Sequence, residues 1–243
     1  MSTTSRPLVV ITGASSGIGA ATARAFAAAG HPLLLLARRL EPMTALALPG
    51  AMCCEVDVLD AEAFQKALTG AEALHGPADC LVNNAGVMMN SPALSGDAAQ
   101  WDAMIDINIK GVLNGVRLVL AGMAARQTGT IVNIGSIAGV KTFGNHAVYC
   151  GTKFAVHAIT ETIREEVASK NVRLINIAPG MVETELVNHT TDTAAREGWL
   201  TYARQIGGAL QPESIAQAIL WSYQMPQSVC VREMVICPTR QEP

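Results

Sequence analysis

The residues with the clearest catalytic potential in this chain are a tyrosine and a lysine, Tyr149 and Lys153, four positions apart. In a helix this spacing places both side chains on one face, which here continues through the apolar residues Val156 and Ile163. A lysine is costly to bury, and beside a phenol it is expected to lower the phenol pKa from about 10 toward the working pH. The pair therefore predicts a general acid/base, although exposed helical pairs with this spacing are common.

Two other polar residues lie in apolar surroundings. Ser136 follows the apolar run 130–134, where its hydroxyl could hydrogen-bond a substrate oxygen. Asn108 interrupts the apolar stripe of a helical segment, and its amide must find partners among backbone groups or water. We therefore expect Asn108 to kink its helix, to serve catalysis, or to do both.

A glycine-rich turn follows the first apolar run of the chain. Residues 8–11 lead into TGASSGIG at 12–19, and an alanine-rich helical segment begins at once. Glycines in such a turn let the backbone approach a pyrophosphate, which then lies at the positive end of the helix. The spacing is GxxxGxG rather than GxGxxG, and its position directly after a first strand predicts a dinucleotide site.

The second apolar run ends in Ala37-Arg38-Arg39, at the position where NAD-binding domains usually carry an acid that contacts the adenosine ribose. Two guanidinium groups suit a 2′-phosphate, and the missing carboxylate removes a repulsion that would exclude it. Solvated surface arginines are the alternative explanation. The predicted cofactor is NADP(H).

Short apolar runs alternate with segments of helical spacing along the whole chain. The runs are continuous rather than alternating in hydrophobicity, which indicates strands buried on both faces. They occupy residues 8–11, 33–37, 52–58, 80–82, 130–134, 172–178 and 234–237, and helical spacing covers 18–29, 61–74, 98–125, 149–169 and 212–223. This order predicts an α/β fold: a doubly wound, Rossmann-type domain with a parallel sheet of about seven strands and helices on both faces.

The composition limits the domain count and the partners. Half of the 243 residues are apolar and 15% are charged, which suits one domain over 1–243 with a large core. A formal charge of −3 disfavours nucleic acids and anionic membranes, so small molecules are the expected partners. No apolar run approaches the ~18 residues of a membrane span, and we expect a cytoplasmic protein. The six cysteines lack metal-ligand spacing, and no metal site is predicted.

The stretch 185–211 departs from the regular alternation and is predicted to be a lid over the substrate, with a plain pair of surface helices as the alternative. Its charged residues and the low aromatic content of the chain predict a small, polar substrate: an aldehyde, a ketone or a β-hydroxy acid. Four residues are candidates to bind a substrate carboxylate: Arg196, Arg204, Lys141 and His146.

These motifs, in this order, resemble the short-chain dehydrogenase/reductase family over essentially the whole chain. Residues 12–19 are similar to its nucleotide turn, Asp57-Val58 to its adenine contact, and residues 83–86, NNAG, to its central strand motif. Ser136 precedes Tyr149 by thirteen positions, as in the family, and residues 179–184 are similar to the segment that holds the nicotinamide. The chain end, 231–241, is similar to a subgroup with NADP-dependent 3-hydroxy acid dehydrogenases and clavulanic-aldehyde reductases.

The resemblance implies a role for each of these residues. Tyr149 would donate a proton to the carbonyl oxygen that Ser136 orients, Lys153 would hold the nicotinamide ribose, and Asn108 would anchor a water relay to Lys153. The implied cofactor-binding residues are Gly13, Ser15, Ser16, Gly17, Ile18, Gly19, Arg38, Arg39, Asp57, Val58, Asn84, Ala85, Gly86, Tyr149, Lys153, Pro179, Gly180, Val182 and Thr184. A homotetramer built by the two long helices is also implied.

Other functions remain open at this point. The same fold could bind NADP(H) without turnover, as a regulator, or could reduce bulkier ketones or quinones. Related epimerases and dehydratases usually carry a longer carboxy-terminal substrate domain, whereas only sixty-three residues follow Gly180 here.

Overall fold

The apolar runs form parallel strands in the computed structural model, which describes residues 6–242. The strands are β1 (Leu8–Thr12), β2 (Leu33–Ala37), β3 (Ala51–Glu55), β4 (Ala78–Asn83), β5 (Thr130–Ile134), β6 (Arg173–Pro179) and β7 (Glu233–Ile236). They make one seven-stranded sheet in the order β3-β2-β1-β4-β5-β6-β7. The predicted fold class is confirmed, because every pair of neighbouring strands is parallel.

Helices connect the strands and cover the sheet. They are α1 (Gly17–Ala28), α2 (Leu40–Thr44), α3 (Ala61–His75), α4 (Ala98–Ile105), α5 (Gly111–Arg126), α6 (Ala147–Val167), α7 (Thr193–Gln205) and α8 (Pro212–Gln224). A π turn, Asp106–Lys110, joins α4 to α5, and a 3-10 turn, Glu185–His189, precedes α7.

Alternate residues of the central strand β1 enter two separate apolar cores. Leu8 and Val10 lie in a cluster with residues of α3 and α5, whereas Val9 and Ile11 lie in a cluster with residues of α1 and α8. All four are fully buried, and burying such a side chain contributes about 1.5–3 kcal/mol. Burial on both faces explains why the strands lack polar alternation.

The strand order reverses direction next to β1, and this reversal locates the site. From β1 the chain first builds outward through β2 to β3, and then returns to add β4 on the other side. The connections that leave the carboxyl ends of β1 and β4 therefore diverge to opposite faces and leave a crevice between them. The glycine turn at 12–19 and the NNAG segment at 83–86 both lie at this crevice.

Several boundaries differ from the sequence-based predictions. The third strand ends at Glu55 rather than at position 58, so Asp57 and Val58 belong to the following loop. The predicted helix 98–125 is divided by the π turn, and α2 was not predicted because its five residues are too few for a helical period to show. The stretch 185–211 contains a 3-10 turn and the helix α7.

The stretch Ala98–Arg126 is long and apolar enough to cross a membrane by length and composition alone. Core helices of soluble proteins meet the same criterion. Here Val112, Val116, Val119 and Met123 from this stretch belong to the core under the sheet.

Candidate active site

A cavity of about 1180 Å³ runs along the carboxyl ends of the strands. Its lining includes the glycine turn, the turn Glu185–His189 and residues of α7. The residues predicted to bind the cofactor that line it are Gly13, Ser15, Ser16, Gly17, Ile18, Arg38, Arg39, Asp57, Val58, Asn84, Ala85, Gly86, Tyr149, Lys153, Pro179, Gly180, Val182 and Thr184. Gly19 lies behind the turn and does not line the cavity.

The three glycines of the turn lie at positions with no room for a side chain. Gly13 and Gly17 have positive φ angles of 65° and 52°, a conformation that glycine adopts without strain. A Cβ on Gly13 would lie 2.8 Å from Cα of Ala85, and one on Gly17 would lie 3.0 Å from Thr184. A Cβ on Gly19 would collide with the backbone oxygen of Gly13.

Asn84 braces this turn from the neighbouring strand. Its Nδ2 donates to the backbone oxygens of Thr12 at 2.9 Å and Gly13 at 3.1 Å, while Thr12 Oγ1 accepts from the backbone N–H of Asn84 at 3.0 Å and of Ala85 at 3.1 Å. Ser16, the N-cap of α1, makes no side-chain capping bond. The first N–H groups of α1 thus lie beside the cavity without a side-chain cap, which fits a pyrophosphate.

Arg38 and Arg39 both line the cavity near the glycine turn. Arg39 Nη2 donates to Glu185 Oε2 at 2.7 Å and to Ser15 Oγ at 3.4 Å. The hydrogen bond from Arg39 holds the pKa of the Glu185 carboxyl below its usual range. Sequence reasoning missed Glu185, because no local pattern indicates that a residue 146 positions away meets Arg39.

Three of the four predicted catalytic residues, Ser136, Tyr149 and Lys153, line the cavity, whereas Asn108 is buried and does not line it. Asn108, Ser136, Tyr149 and Lys153 are each at most 8% exposed. Tyr149 and Ser136 are hydrogen-bonded through their side chains, and Ser136 Oγ also accepts from the backbone N–H of Ala138 at 3.1 Å. Lys153 Nζ donates to the backbone oxygen of Ile134 at 2.8 Å and lies 5.8 Å from the centroid of the Tyr149 ring.

The expectation that Lys153 brings the Tyr149 pKa down toward neutrality is wrong for this structure. Burial raises the Tyr149 pKa to about 12, and the hydrogen bond with Ser136 offsets only part of this effect. Burial also lowers the pKa of Lys153 to about 8. Sequence reasoning counted the attraction between the two groups but not the loss of solvation that both undergo. At pH 7 the phenol therefore keeps its proton, ready to donate.

Lys153 costs stability at neutral pH, which gives a measurable prediction. The fall of its pKa from 10.5 to about 8, at about 1.4 kcal/mol per pH unit, corresponds to about 3 kcal/mol. This penalty is fully present below pH 8 and fades as the pH rises toward 10.5, because the native state then loses the proton before the unfolded state does. Lys153→Met should thus raise the free energy of unfolding at pH 7 by about 2 kcal/mol, after about 1 kcal/mol is subtracted for the lost hydrogen bond.

Urea unfolding of wild type and Lys153→Met at pH 7 and pH 10, without added cofactor, measures this effect. The stability gain should be largest at pH 7 and should shrink by pH 10. A variant that is less stable than wild type at pH 7 would contradict the prediction.

Asn108 is held by hydrogen bonds within the protein. Its Oδ1 accepts from the backbone N–H of Val87 at 2.9 Å, and its Nδ2 donates to the Val87 oxygen at 2.9 Å and to Thr152 Oγ1 at 3.1 Å. The residue lies in the π turn, so the predicted helix distortion is present. These contacts tie the turn to the NNAG segment and to α6, next to Lys153.

His157 is a second residue that sequence reasoning missed. It lies one helical turn after Lys153, and its Nδ1 is 2.9 Å from Glu233 Oε1 on β7, while the backbone N–H of Ser136 donates to its Nε2 at 3.4 Å. The imidazole fills the space that a side chain at Gly135 or Gly139 would need. Burial lowers its pKa, and Glu233 opposes the shift. His157 therefore supports the backbone of Ser136 from behind.

The substrate end of the cavity is more apolar than the sequence led us to expect. Residues with large apolar or aromatic side chains line it: Met88, Ile107, Phe143, Leu186, Val187, Trp199 and Tyr202. The low aromatic content of the chain was thus misleading, because several of the few aromatic residues are concentrated here.

The four candidate cations lie in different places. His146 lines the cavity, where its Nε2 is 2.7 Å from Asn90 Nδ2 and its Nδ1 is 2.6 Å from the Gly144 oxygen. Arg196 donates to Asn188 and Arg204 to Thr201, and neither lines the cavity. Lys141 lies 5.8 Å from the centroid of the Phe143 ring, outside the lining. Within residues 6–242, no cluster of three metal-ligating residues is present.

A family model described as short chain dehydrogenase matches residues 7–195. An uncharacterized oxidoreductase of Listeria monocytogenes is 38% identical over 242 residues, covering 96% of this chain and 97% of that protein. The closed form of serine dehydrogenase complexed with NADP+ superimposes with a TM-score of 0.90 at 32% identity, covering 97% of this chain and 96% of that one. An alcohol dehydrogenase from the archaeon Thermococcus sibiricus, complexed with 5-hydroxy-NADP, gives 0.85 at 26% identity, covering 98% and 99% of the two chains.

The fold and the cavity define a dinucleotide-binding oxidoreductase of the Rossmann type. The chain belongs to the short-chain dehydrogenase/reductase family. Binding of a nicotinamide cofactor and action on small molecules follow from this membership.

Proposed function

We propose that this protein is an NADP(H)-dependent enzyme that interconverts an alcohol and a carbonyl, with Tyr149 as the general acid/base. The observation that carries the proposal is the buried contact between Tyr149 and Ser136 in a cavity that also contains Lys153 and the glycine turn. When bound, the nicotinamide supplies or accepts the hydride. A non-catalytic NADP(H)-binding regulator is the competing function, and it would not need the complete set of four polar side chains.

Each of the four polar side chains has a separate role in the proposed reaction. Ser136 orients the substrate oxygen by a hydrogen bond, and Tyr149 Oη donates a proton to that oxygen during carbonyl reduction. Burial raises the pKa of this phenol to about 12, so it holds at neutral pH the proton that carbonyl reduction needs. Lys153 would hold the nicotinamide ribose, and Asn108 fixes the turn beside it.

The residues of the cavity suit NADP(H). The glycine turn and the start of α1 would offer backbone N–H groups to the pyrophosphate, and Arg38 and Arg39, which line the same cavity, would bind the 2′-phosphate of the adenosine ribose. Asp57 and Val58 would contact the adenine, and residues 179–184 the nicotinamide. The serine dehydrogenase with NADP+ and the alcohol dehydrogenase with 5-hydroxy-NADP are consistent with this choice.

A direct test follows nicotinamide absorbance while the protein is mixed with NADPH and a panel of carbonyl compounds. We expect multiple turnovers with at least one carbonyl and a much lower rate with NADH. Tight NADPH binding without turnover on any member of a broad panel would favour the regulator instead.

Two substrate classes have support. A small polar substrate such as a β-hydroxy acid is supported by the similarity to serine dehydrogenase and by the polar residues His146, Asn188 and Asp192 in the lining. A bulkier ketone or quinone is supported by Phe143, Trp199 and Tyr202. We retain the small polar substrate as the first proposal.

This choice predicts that kcat/KM is higher for β-hydroxy acids and short aldehydes than for aromatic ketones or quinones. His146→Phe should lower kcat/KM for the polar substrates, whereas Trp199→Ala should change it little. If kcat/KM for a bulky ketone exceeds that for the polar substrates by more than ~10²-fold, about 2.7 kcal/mol in transition-state binding, the second substrate class is the correct one. Loss of that preference in Trp199→Ala would support the same conclusion.

The proposed enzyme is a soluble, cytoplasmic protein with one domain over 1–243 and a lid at 185–211. The lid proposal is supported by Trp199 and Tyr202 of α7, which face the cavity. We further propose a homotetramer in which α4–α5 and α6 pack against partner copies. Exposed apolar side chains on these helices support this arrangement: Ile105, Leu113 and Phe154.

A further inference from the structure

The carboxylate of Glu185 lies at the edge of the cavity where the cofactor's 2′-phosphate is proposed to bind. Its Oε2 accepts from Arg39 Nη2 at 2.7 Å, and its side chain is also hydrogen-bonded to that of Ser16 in the glycine turn. Both members of the ion pair are about half exposed. Glu185 therefore contacts two of the segments that are assigned to the phosphates.

Glu185 adds a negative charge to the proposed 2′-phosphate subsite. The sequence around Arg38 and Arg39 alone indicates a subsite with positive charges only. NAD-preferring domains place an acid at the end of β2 to bind the ribose hydroxyls and repel a 2′-phosphate. This chain has arginines there, but it brings a carboxylate to the same region from the other side of the cavity, by way of the turn Glu185–His189. The end of β2 thus lacks the acid in the sequence, but the folded chain places the Glu185 carboxylate next to Arg39.

A bound 2′-phosphate would share Arg39 with this carboxylate. Arg39 uses Nη2 for Glu185 and Ser15, which leaves Nε and Nη1 for a phosphate. The phosphate is a dianion, and a carboxylate on the same guanidinium repels it and competes for the positive charge. A cofactor without the 2′-phosphate presents no such charge to Glu185.

We propose that Glu185 is a specificity-determining residue that selectively weakens the binding of phosphate-bearing cofactor. The inference rests on the proposed NADP(H) preference and deepens it: cofactor choice is a balance between Arg38 and Arg39 on one side and Glu185 on the other. The preference for NADPH is consequently smaller than the two arginines alone would give, and NADP(H) leaves the site more readily.

The test measures the dissociation constants of NADPH, NADH and adenosine 2′,5′-bisphosphate for wild type and Glu185→Gln by calorimetry. We expect Glu185→Gln to bind NADPH and the bisphosphate about three- to tenfold more tightly, the size expected for a partly exposed charge acting on a dianion. Affinity for NADH should stay within about twofold or fall. The gain should also shrink at high ionic strength.

Glu213→Gln is the matched control. Glu213 lies in the first turn of α8, outside the cavity lining, and forms an exposed ion pair with Arg24 at 4.0 Å, away from Arg39. Its replacement removes the same charge from the chain and should leave all three dissociation constants unchanged. Combining Glu185→Gln with Arg39→Ala should abolish the gain, because the proposed effect acts through that guanidinium.

Two results would overturn the inference while leaving the proposed function intact. One is a wild-type preference for NADPH that Glu185→Gln does not increase, and the other is an equal gain for NADH and NADPH. Failure of the proposed NADP(H) preference would give a different result. Wild type would then bind NADH as tightly as NADPH, and the variants Arg38→Ala and Arg39→Ala would bind the bisphosphate as tightly as wild type does.

Discussion

Replacing Tyr149 with phenylalanine is expected to lower kcat by at least ~10², because the variant lacks the only atom of this side chain that can carry a proton to the substrate oxygen. The ring is retained, so its packing with Met104 and Val187 should be unchanged. NADPH affinity should therefore stay within about twofold of wild type, since the phenol oxygen is only one of many groups along the cavity. The variant should therefore bind NADPH like wild type while its kcat falls.

Tyr202→Phe provides the matched control for this experiment. Tyr202 also lines the cavity, on α7, and loses the same hydroxyl. We expect its effect on kcat to be below about tenfold, because it makes no contact with Ser136 or Lys153 that would move a proton. A Tyr149→Phe enzyme that binds NADPH normally and turns over near the wild-type rate would show that Tyr149 is not the acid.

Replacing both Arg38 and Arg39 with alanine is expected to remove the preference for NADPH. Hydrogen bonds to charged groups contribute about 1.5–3 kcal/mol each, so two such contacts correspond to a change of at least ~10² in the ratio of kcat/KM for NADPH and NADH. The change should lie mainly in KM for NADPH, because the 2′-phosphate is remote from the reacting atoms.

Arg24→Ala is a suitable control for the arginine variant. Arg24 is an exposed residue of α1, 4.0 Å from Glu213 across the interface with α8. Arg24→Ala removes one positive charge, as each of the other two replacements does, but Arg24 does not line the cavity. Equal efficiency of wild type with both cofactors, or a double variant that keeps its preference, would contradict the assignment of Arg38 and Arg39.

The sheet and the glycine turn could be predicted from the sequence because local patterns determine them. Strands such as β2, LLLLA, are buried on both faces and show this as continuous hydrophobicity. The glycine turn is equally local, since close approach to Ala85 and Thr184 leaves glycine as the residue that fits. Ser136 and Tyr149 are separated by a short connection, and their spacing along the chain reflects their contact in the fold.

The features that escaped prediction depend on contacts between distant segments or on solvation. Glu185 reaches Arg39, and Glu233 reaches His157, only after the chain has folded. The aromatic residues of the cavity come from three separate segments, which composition cannot reveal. The direction of the Tyr149 pKa shift was predicted wrongly because burial raises this pKa, and burial is a property of the whole structure.

The π turn Asp106–Lys110 makes the position of the Asn108 side chain depend on the number of residues in the stretch α4–α5. A π turn contains one residue more than an α turn, so the stretch behaves as an α-helix with a single-residue insertion at Asn108. Deleting one residue there would let α4 and α5 run on as a regular helix that keeps its buried face, with Met104 still in the cluster around Tyr149. The Asn108 amide would however lose its position beside Val87. A one-residue deletion would thus preserve the packing of the helices and still remove one side chain from the proposed active site.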